Sequence, residues 1–379
     1  MGEQRVTPLE LFFDLVFVFG LTQVTTVLSN NPSWSGVGHG LLILCALWWA
    51  WASYAWLTNT TDPNDSLVWG TMLVAMAAMF VASLAVPTAF TRHGVVFGVA
   101  FLIVAAMHPA LYAVAARGDR DLLAAIARIT PWSIAGAVLI TAAGFTNESI
   151  RPAFWVASLL VGLVGPLLIG VSGWRVHPAH FVERHGLIVI IAIGESLVAI
   201  GFGARETRLS IGVIGAAVLG FAVVASFWLA YFDFFTLRAE RLLEDRSGGR
   251  RTALARDVFT YLHLPMVSGI VLFAFAMKTT LAHIGDKLPT VPAVALCAGP
   301  ALYLLAFVGV RLRVTGRASS GRFVAGLACV AVIPVALTAP AIVALALVAA
   351  VWVGLHAYEL IWWREARAET RAPQSAEPA

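Results

Sequence analysis

The chain has 379 residues, 60% of them hydrophobic and only 12% charged, with a mean hydropathy of +0.85 and a formal net charge of +4. Those values exclude a soluble globular protein and indicate an integral membrane protein. The small positive charge lies in loops and forms no aromatic-interleaved basic stripe, so nucleic-acid binding is not expected.

Mainly apolar stretches of roughly 18 to 25 residues, the length that crosses about 30 Å of hydrocarbon, recur along the chain. They cover 7–28, 36–57, 67–87, 94–116, 121–143, 152–171, 181–203, 209–237, 257–281, 288–310, 323–339 and 341–363. The pattern predicts an all-α polytopic membrane protein of about twelve transmembrane helices. Only Thr338, Ala339 and Pro340 separate the last two. The first stretch carries Glu10 and Asp14 and lacks a small-residue cleavage pattern, so it is expected to persist as a helix rather than be removed as a signal peptide. Residues 364–379, opening Arg364-Glu365-Ala366-Arg367 and running through Pro373, Ser375 and Pro378, read as a disordered cytoplasmic tail.

Arg and Lys accumulate on the cytoplasmic side of short loops. With an inside N-terminus and twelve spans, eighteen arginines fall on inner segments. Six bases fall outside, Arg92, Arg151, Arg205, Arg208, Lys278 and Lys287, and Arg128 alone lies within a span. Both termini are therefore expected in the cytoplasm. The inner segment 58–66 runs against the trend, holding Asp62 and Asp65 without a base. Cys45, Cys297 and Cys329 fall inside spans without a CxxC pair, which argues against disulfides and thiolate metal sites. No cofactor or metal is expected. Trp34, Tyr54, Trp69, Trp174, Tyr231, Trp362 and Trp363 lie near span ends and read as interfacial anchors.

The chain also resembles itself. An offset of 173 sets Glu10 opposite Glu183 and Thr22-Gln23 opposite Glu195-Ser196. An offset of 177 sets Trp51-Ala52-Ser53-Tyr54 opposite Trp228-Leu229-Ala230-Tyr231. The expected organisation is two parallel six-helix repeats, 1–178 and 179–363, since corresponding helices six spans apart run the same way.

Several segments carry a family resemblance: Glu10-Leu11-Phe12-Phe13-Asp14-Leu15-Val16-Phe17-Val18-Phe19 with Leu21-Thr22-Gln23; Trp48-Trp49-Ala50-Trp51; His180-Phe181-Val182-Glu183-Arg184-His185-Gly186 leading to Ile193-Gly194-Glu195-Ser196; and Tyr231-Phe232-Asp233. Together they closely resemble the low temperature requirement protein A family of bacterial membrane proteins. By motif the resemblance covers about 7 to 240. It implies a polytopic inner-membrane protein of a family named for a cold-growth phenotype, and it brings no mechanism with it.

Chemistry is therefore sought in ionisable groups at bilayer depth, which are costly and by default functional. At 100° per residue, Asp14, Val18, Leu21 and Thr25 form one stripe of the first helix, with Glu10 a turn earlier. Phe12, Val16 and Phe19 lie opposite and suit lipid or apolar contacts. In the seventh span Arg184, Ile188, Ile191, Glu195 and Ala199 share a face. Arg184 and Glu195 are roughly 16 Å apart along the axis and cannot touch, so each needs another partner. Arg128 requires an anion, for which Asp14 or Glu195 is expected, unless it snorkels to the interface. His108, His185, His263 and His356 read as buried polar groups with proton relay as the alternative, and His356 and Glu359 as an interfacial pair.

The candidate transport or proton-site residues are thus Asp14, Glu195, Glu10, Arg128, Gln23, Glu183, Arg184, His185 and Asp233. Apparent duplication, intramembrane acids and the lack of a nucleotide-binding loop favour a proton-coupled secondary transporter of a small solute. An ion channel is the nearest rival, since Phe12-Phe13-Asp14 resembles the Phe-Ser-Asp signature of a two-repeat potassium-channel family with Phe13 in place of serine. An intramembrane enzyme acting on lipid ranks third, because HExxH and GxSxG are both absent. Transport further predicts a mid-depth cavity touching Asp14 and Glu195.

Overall fold

The computed structural model describes residues 5–60, 66–205, 207–233 and 235–362. Asp62, Asp65, Trp363 and the tail 364–379 lie outside them. The described residues form helices and no strand ladder, with one isolated bridge between Lys287 and Pro340. Among the described residues, twelve helical segments are long and apolar enough to cross a membrane.

The first six are α1 (Pro8–Asn30), α2 (Trp34–Thr58), α3 (Ser66–Ala85), α4 (Gly94–Ala115), α5 (Arg120–Gly144) and α6 (Arg151–Ile169). Then come α7 (Pro178–Arg205), α8 (Ile211–Phe232) and a short amphipathic α9 (Phe235–Glu244). The ninth crossing is continuous from Gly248 to Ala282 and comprises α10 (Gly248–Ala255), a π-helical segment (Arg256–Leu262) and α11 (His263–Ala282). The tenth is α12 (Thr290–Thr315). The eleventh is broken into α13 (Ser320–Ala331) and α14 (Ile333–Thr338), and α15 (Ala341–Trp362) is the last. Pro334, which has no N–H to offer the preceding turn, accounts for the break.

Three boundaries differ from the hydropathy reading by five residues or more, one of them the end of the tenth crossing, at Thr315 rather than 310. The eighth crossing ends at Phe232 rather than 237, because the chain turns polar and continues as α9. The ninth begins at 248 rather than 257, so Arg250, Arg251 and Arg256 are helical and not in a loop. Arg251 donates to the carbonyls of Leu243 and Arg246, closing the end of α9 against α10.

Six helix pairings recur between α1–α6 and α7–α15, whereas α2 on α4 and α12 on α15 have no counterpart of similar extent. α1 packs on α2 and α3, α3 on α4, α4 on α5, α5 on α6, and α2 on α6. α7 packs on α8 and α11, α11 on α12, α12 on α13, α13 on α15, and α8 on α15. The helices before and after 178 meet where α1 and α2 lie against α7 and α11. Paired residues along α1 and α7 rise together, so these two helices run parallel.

Close backbone approach fixes the densest contact, α11 on α12. A Cβ added to Gly299 would sit 2.6 Å from the Gly269 carbonyl oxygen, so neither position has room for a side chain. The lipid-facing surface is apolar, with Phe12 and Leu15 of α1 both more than half exposed and Asp14 on the opposite side only 2% exposed. Tyr54 and Tyr231 are not interfacial anchors as the sequence suggests. Both are buried with bonded hydroxyls, Tyr54 to the Val104 carbonyl and Tyr231 to His263, whereas Trp34, Trp69 and Trp362 are exposed.

Candidate functional site at the α1–α7 seam

Thr7 starts α1 with a capping box. Its hydroxyl accepts from the Glu10 N–H, while its own N–H donates 2.8 Å back to Glu10 Oε2. The same carboxylate reaches across to α7, where His180 Nε2 lies 3.0 Å from Glu10 Oε1. The tautomer of His180 follows from its other nitrogen. Nδ1 faces the Asn59 amide nitrogen at 3.1 Å, a donor, so Nδ1 accepts and Nε2–H donates to Glu10. Asn59 is itself clamped, accepting from the His177 N–H at 2.8 Å and donating to the His177 carbonyl at 3.0 Å.

One turn deeper, fully buried Arg184 donates from Nη1 to Asp14 Oδ2 at 2.7 Å and to the Glu10 carbonyl at 3.0 Å. Trp51 of α2 donates its indole N–H to Asp14 Oδ1 at 2.8 Å, and the guanidinium stands 5.8 Å from the centroid of the Trp51 ring. Two carboxylates thus face one permanent cation and a neutral imidazole. The residual negative charge lies at the N-terminus of α1, where the helix dipole favours it.

A second layer continues from Trp51 to His185. His185 donates Nδ1–H to the Phe181 carbonyl and leaves Nε2 without a hydrogen-bond partner among the described residues. Beyond it His263 gives Nδ1–H to the Val258 carbonyl, so its Nε2 accepts from the Tyr231 hydroxyl at 2.8 Å. The π-helical segment supplies this wall. Pro265 removes one donor just after it, and the Thr260 carbonyl takes the Trp48 indole N–H at 2.9 Å while the Thr260 hydroxyl takes that of Trp56.

Glu195 stands apart, three turns along α7 from Arg184. It is 6% exposed, and its Oε2 lies 2.7 Å from the Thr22 hydroxyl of α1, with Thr25 beside it. Among the described residues no cation comes within 4 Å of it; the charge that acts on it from a distance is Lys278. Thr22 is also 3.1 Å from the Val18 carbonyl. A single hydroxyl proton can go to Glu195 when the acid is ionised, or to Val18 when a protonated Glu195 donates to the hydroxyl oxygen. Both protonation states find a hydrogen-bonded arrangement without moving the helix.

The remaining candidates fall elsewhere. Arg128 does not meet Asp14 or Glu195; it is exposed on α5 and donates to the Ser172 carbonyl. It lies about a third of the way along α5, close enough to the end for its long stem to reach the 170–173 turn, which is the snorkelling alternative. Arg128→Gln is accordingly expected to change thermal stability by less than about 1 kcal/mol, measured as unfolding in detergent, because an exposed charge contributes little. Exposed Glu183 accepts from the Val6 N–H at 3.2 Å, Gln23 is half-buried on α1, and half-buried Asp233 closes α8. His108 and His356 bond the Ser53 and Ser226 carbonyls, as buried polar groups should. His356 also lies 3.9 Å from Glu359.

Two adjoining cavities of about 60 and 80 Å³ share Trp49, Ser53, His108 and Ser133; the first lies between α2, α4, α5 and α6, and the second is closed in addition by Trp174 and by Thr252, Arg256 and Thr260 of the ninth crossing. Neither touches Asp14 or Glu195. A wider groove of about 650 Å³ runs between α1 and α3, lined by Phe12, Leu15, Phe19, Met76 and Phe80, and includes Thr22. The expected cavity joining the two acids is therefore not among these, because Arg184 and Trp51 fill the space around Asp14.

Of the motif residues that the sequence singles out, Glu10, Asp14, Thr22, Trp51, His180, Arg184, His185 and Glu195 converge on this seam. The profile of the bacterial low temperature requirement A protein (LtrA) matches residues 5–357. The chain belongs to this family. A relative from Rhizobium meliloti (strain 1021), described as an uncharacterized protein, is 33% identical over 309 residues, covering 78% of this chain and 74% of its own length. No solved structure matches. Family and helices together make the chain a multi-pass membrane protein of the LtrA family.

Proposed function

We propose that this LtrA-family protein is a proton-coupled secondary transporter of the inner membrane, with both termini cytoplasmic, Glu195 as its proton-binding acid and the Glu10–Asp14–Arg184 cluster as the fixed joint between two parallel six-helix halves. The observation that carries it is Glu195 itself: a buried carboxyl at the seam between the halves, held by a threonine hydroxyl and not by a cation. An acid kept only for packing is normally neutralised by a nearby base, as Asp14 is. The six recurring helix pairings support an internal duplication, and α1 and α7 at the seam are then equivalent helices that could rock against each other.

Proteoliposomes test the reading. Uptake from a small-metabolite mixture under an imposed pH gradient should be saturable, abolished by Glu195→Gln and retained by Glu183→Gln. Thr22→Val should depress uptake and Thr22→Ser should keep it. Unsaturating current would instead indicate a channel, altered lipid without movement an enzyme, and unaltered uptake in Glu195→Gln would remove the acid from the mechanism.

A further inference from the structure

The two adjoining cavities beside α2 run from the end of α6 to mid-depth. The first is lined by Trp132 and Ser158, near the middles of α5 and α6, and the second reaches Gly170 and Val171 just past α6. Five tryptophans line the pair, Trp49, Trp56, Trp132, Trp155 and Trp174, and among the described residues no Asp, Glu, Lys or Arg lines the first cavity. Arg256 at the second is neutralised by Asp257 at 2.9 Å. His108 stands at the junction, 6% exposed. Its Nε2 lies 3.0 Å from the Ser53 carbonyl oxygen, so Nε2–H donates and Nδ1 is left as an acceptor. Among the described residues nothing donates to Nδ1, and unlike His185 Nε2 it is not closed off by protein. The Ser133 hydroxyl at the same junction and the indole N–H of Trp155, a residue only 3% exposed, likewise have no hydrogen bond among the described residues. Pro109 and Pro166 have no N–H to give the carbonyls of Ala105 and Gly162, four residues back, and both of those residues line the first cavity.

We propose that the joined cavities bind one small, uncharged aromatic molecule that carries a hydroxyl, of the size of phenol. The hydroxyl donates to His108 Nδ1 and accepts from Ser133, and the ring lies among the tryptophans of the first cavity. Size sets the upper limit: spaces of about 60 and 80 Å³ together approach the roughly 150 Å³ that admits a single benzene ring. Indole faces favour a flat ring. An acceptor and donors left unpaired favour a hydroxyl over a plain hydrocarbon, which would bury them unsatisfied. The lack of a free cation favours a neutral group over a carboxylate. Neither cavity touches Asp14 or Glu195, so the inference does not depend on proton coupling through Glu195.

Fluorine NMR of the full chain in detergent, with para-fluorophenol as probe, tests this without a gradient or any uptake. The wild type should bind para-fluorophenol saturably and about tenfold more tightly than fluorobenzene, the expectation for one buried donor–acceptor pair left unmade. Para-fluorobenzoate should bind more weakly than para-fluorophenol. His108→Phe should bring para-fluorophenol down to the level of fluorobenzene, and Ser133→Leu, which fills the junction, should exclude both. Equal binding of para-fluorophenol and fluorobenzene by the wild type overturns the proposal without any variant, and a preference for para-fluorobenzoate does the same. Binding of neither neutral compound overturns it by leaving the cavities to water, and binding that never saturates does so by showing partition into detergent. Undiminished para-fluorophenol binding in Ser133→Leu overturns it as well, by placing the probe elsewhere.

Discussion

Arg184→Gln is expected to remove most of the folded protein from the membrane. Arg184 is fully buried and is the cation that Asp14 and Glu10 share, so the substitution leaves two carboxylates under hydrocarbon with only Trp51, Thr7 and His180 as donors. Breaking a buried pair from one side costs about 3–5 kcal/mol, a large part of a typical folding free energy. Asp14→Asn alone should also destabilise, because it leaves the guanidinium only the more distant Glu10 carboxylate, 3.7 Å away, as its counter-charge. The double variant Asp14→Asn/Arg184→Gln should be less damaged than the two losses combined, since the partners are in contact. Membrane abundance and thermal unfolding in detergent measure all three. A single Arg184→Gln variant melting within about 2 °C of wild type would show that the pair is not what joins α1 to α7.

Gly299→Val is expected to be nearly as severe, for a steric reason. The close approach of α11 and α12 leaves a Cβ at Gly299 only 2.6 Å from the Gly269 carbonyl oxygen and 2.9 Å from the Phe273 nitrogen, both backbone atoms that cannot swing aside. The helices must separate, and overpacking of this kind costs about 1–3 kcal/mol, more when backbone has to move. Since α11 also packs on α7 and α1, the separation reaches the seam. Loss of thermal stability in Gly299→Val, with Gly354→Val as a control at an unobstructed glycine, checks it.

Span number and order are legible in the sequence because each helix must be apolar over the full bilayer thickness, whatever its neighbours. The buried face of α1 is legible too, since a helix hides its carboxylates on one stripe. Lateral distance is what a sequence lacks. The helical rise keeps Arg184 and Glu195 apart along α7, yet the choice of Asp14 for one and Thr22 for the other depends on the axial offset between α1 and α7. The 173-residue alignment does set Thr22 opposite Glu195, and the hydroxyl and carboxyl groups meet across the seam. Arg128 illustrates the opposite case: its acceptor is a loop carbonyl, a group every residue carries and no pattern marks. The Asn59–His177–His180 clamp and the indole N–H of Trp51 are equally hidden, although Trp48-Trp49-Ala50-Trp51 stands out as tryptophans away from a span edge.

The ion pair at the seam has a consequence for synthesis. Asp14 leaves the ribosome 170 residues before the guanidinium that neutralises it. At about 5–20 residues per second that delay is roughly 10 to 30 s. Throughout it the newborn first helix holds two acids whose cation does not yet exist, so lodging them in the bilayer is more costly until the seventh helix arrives.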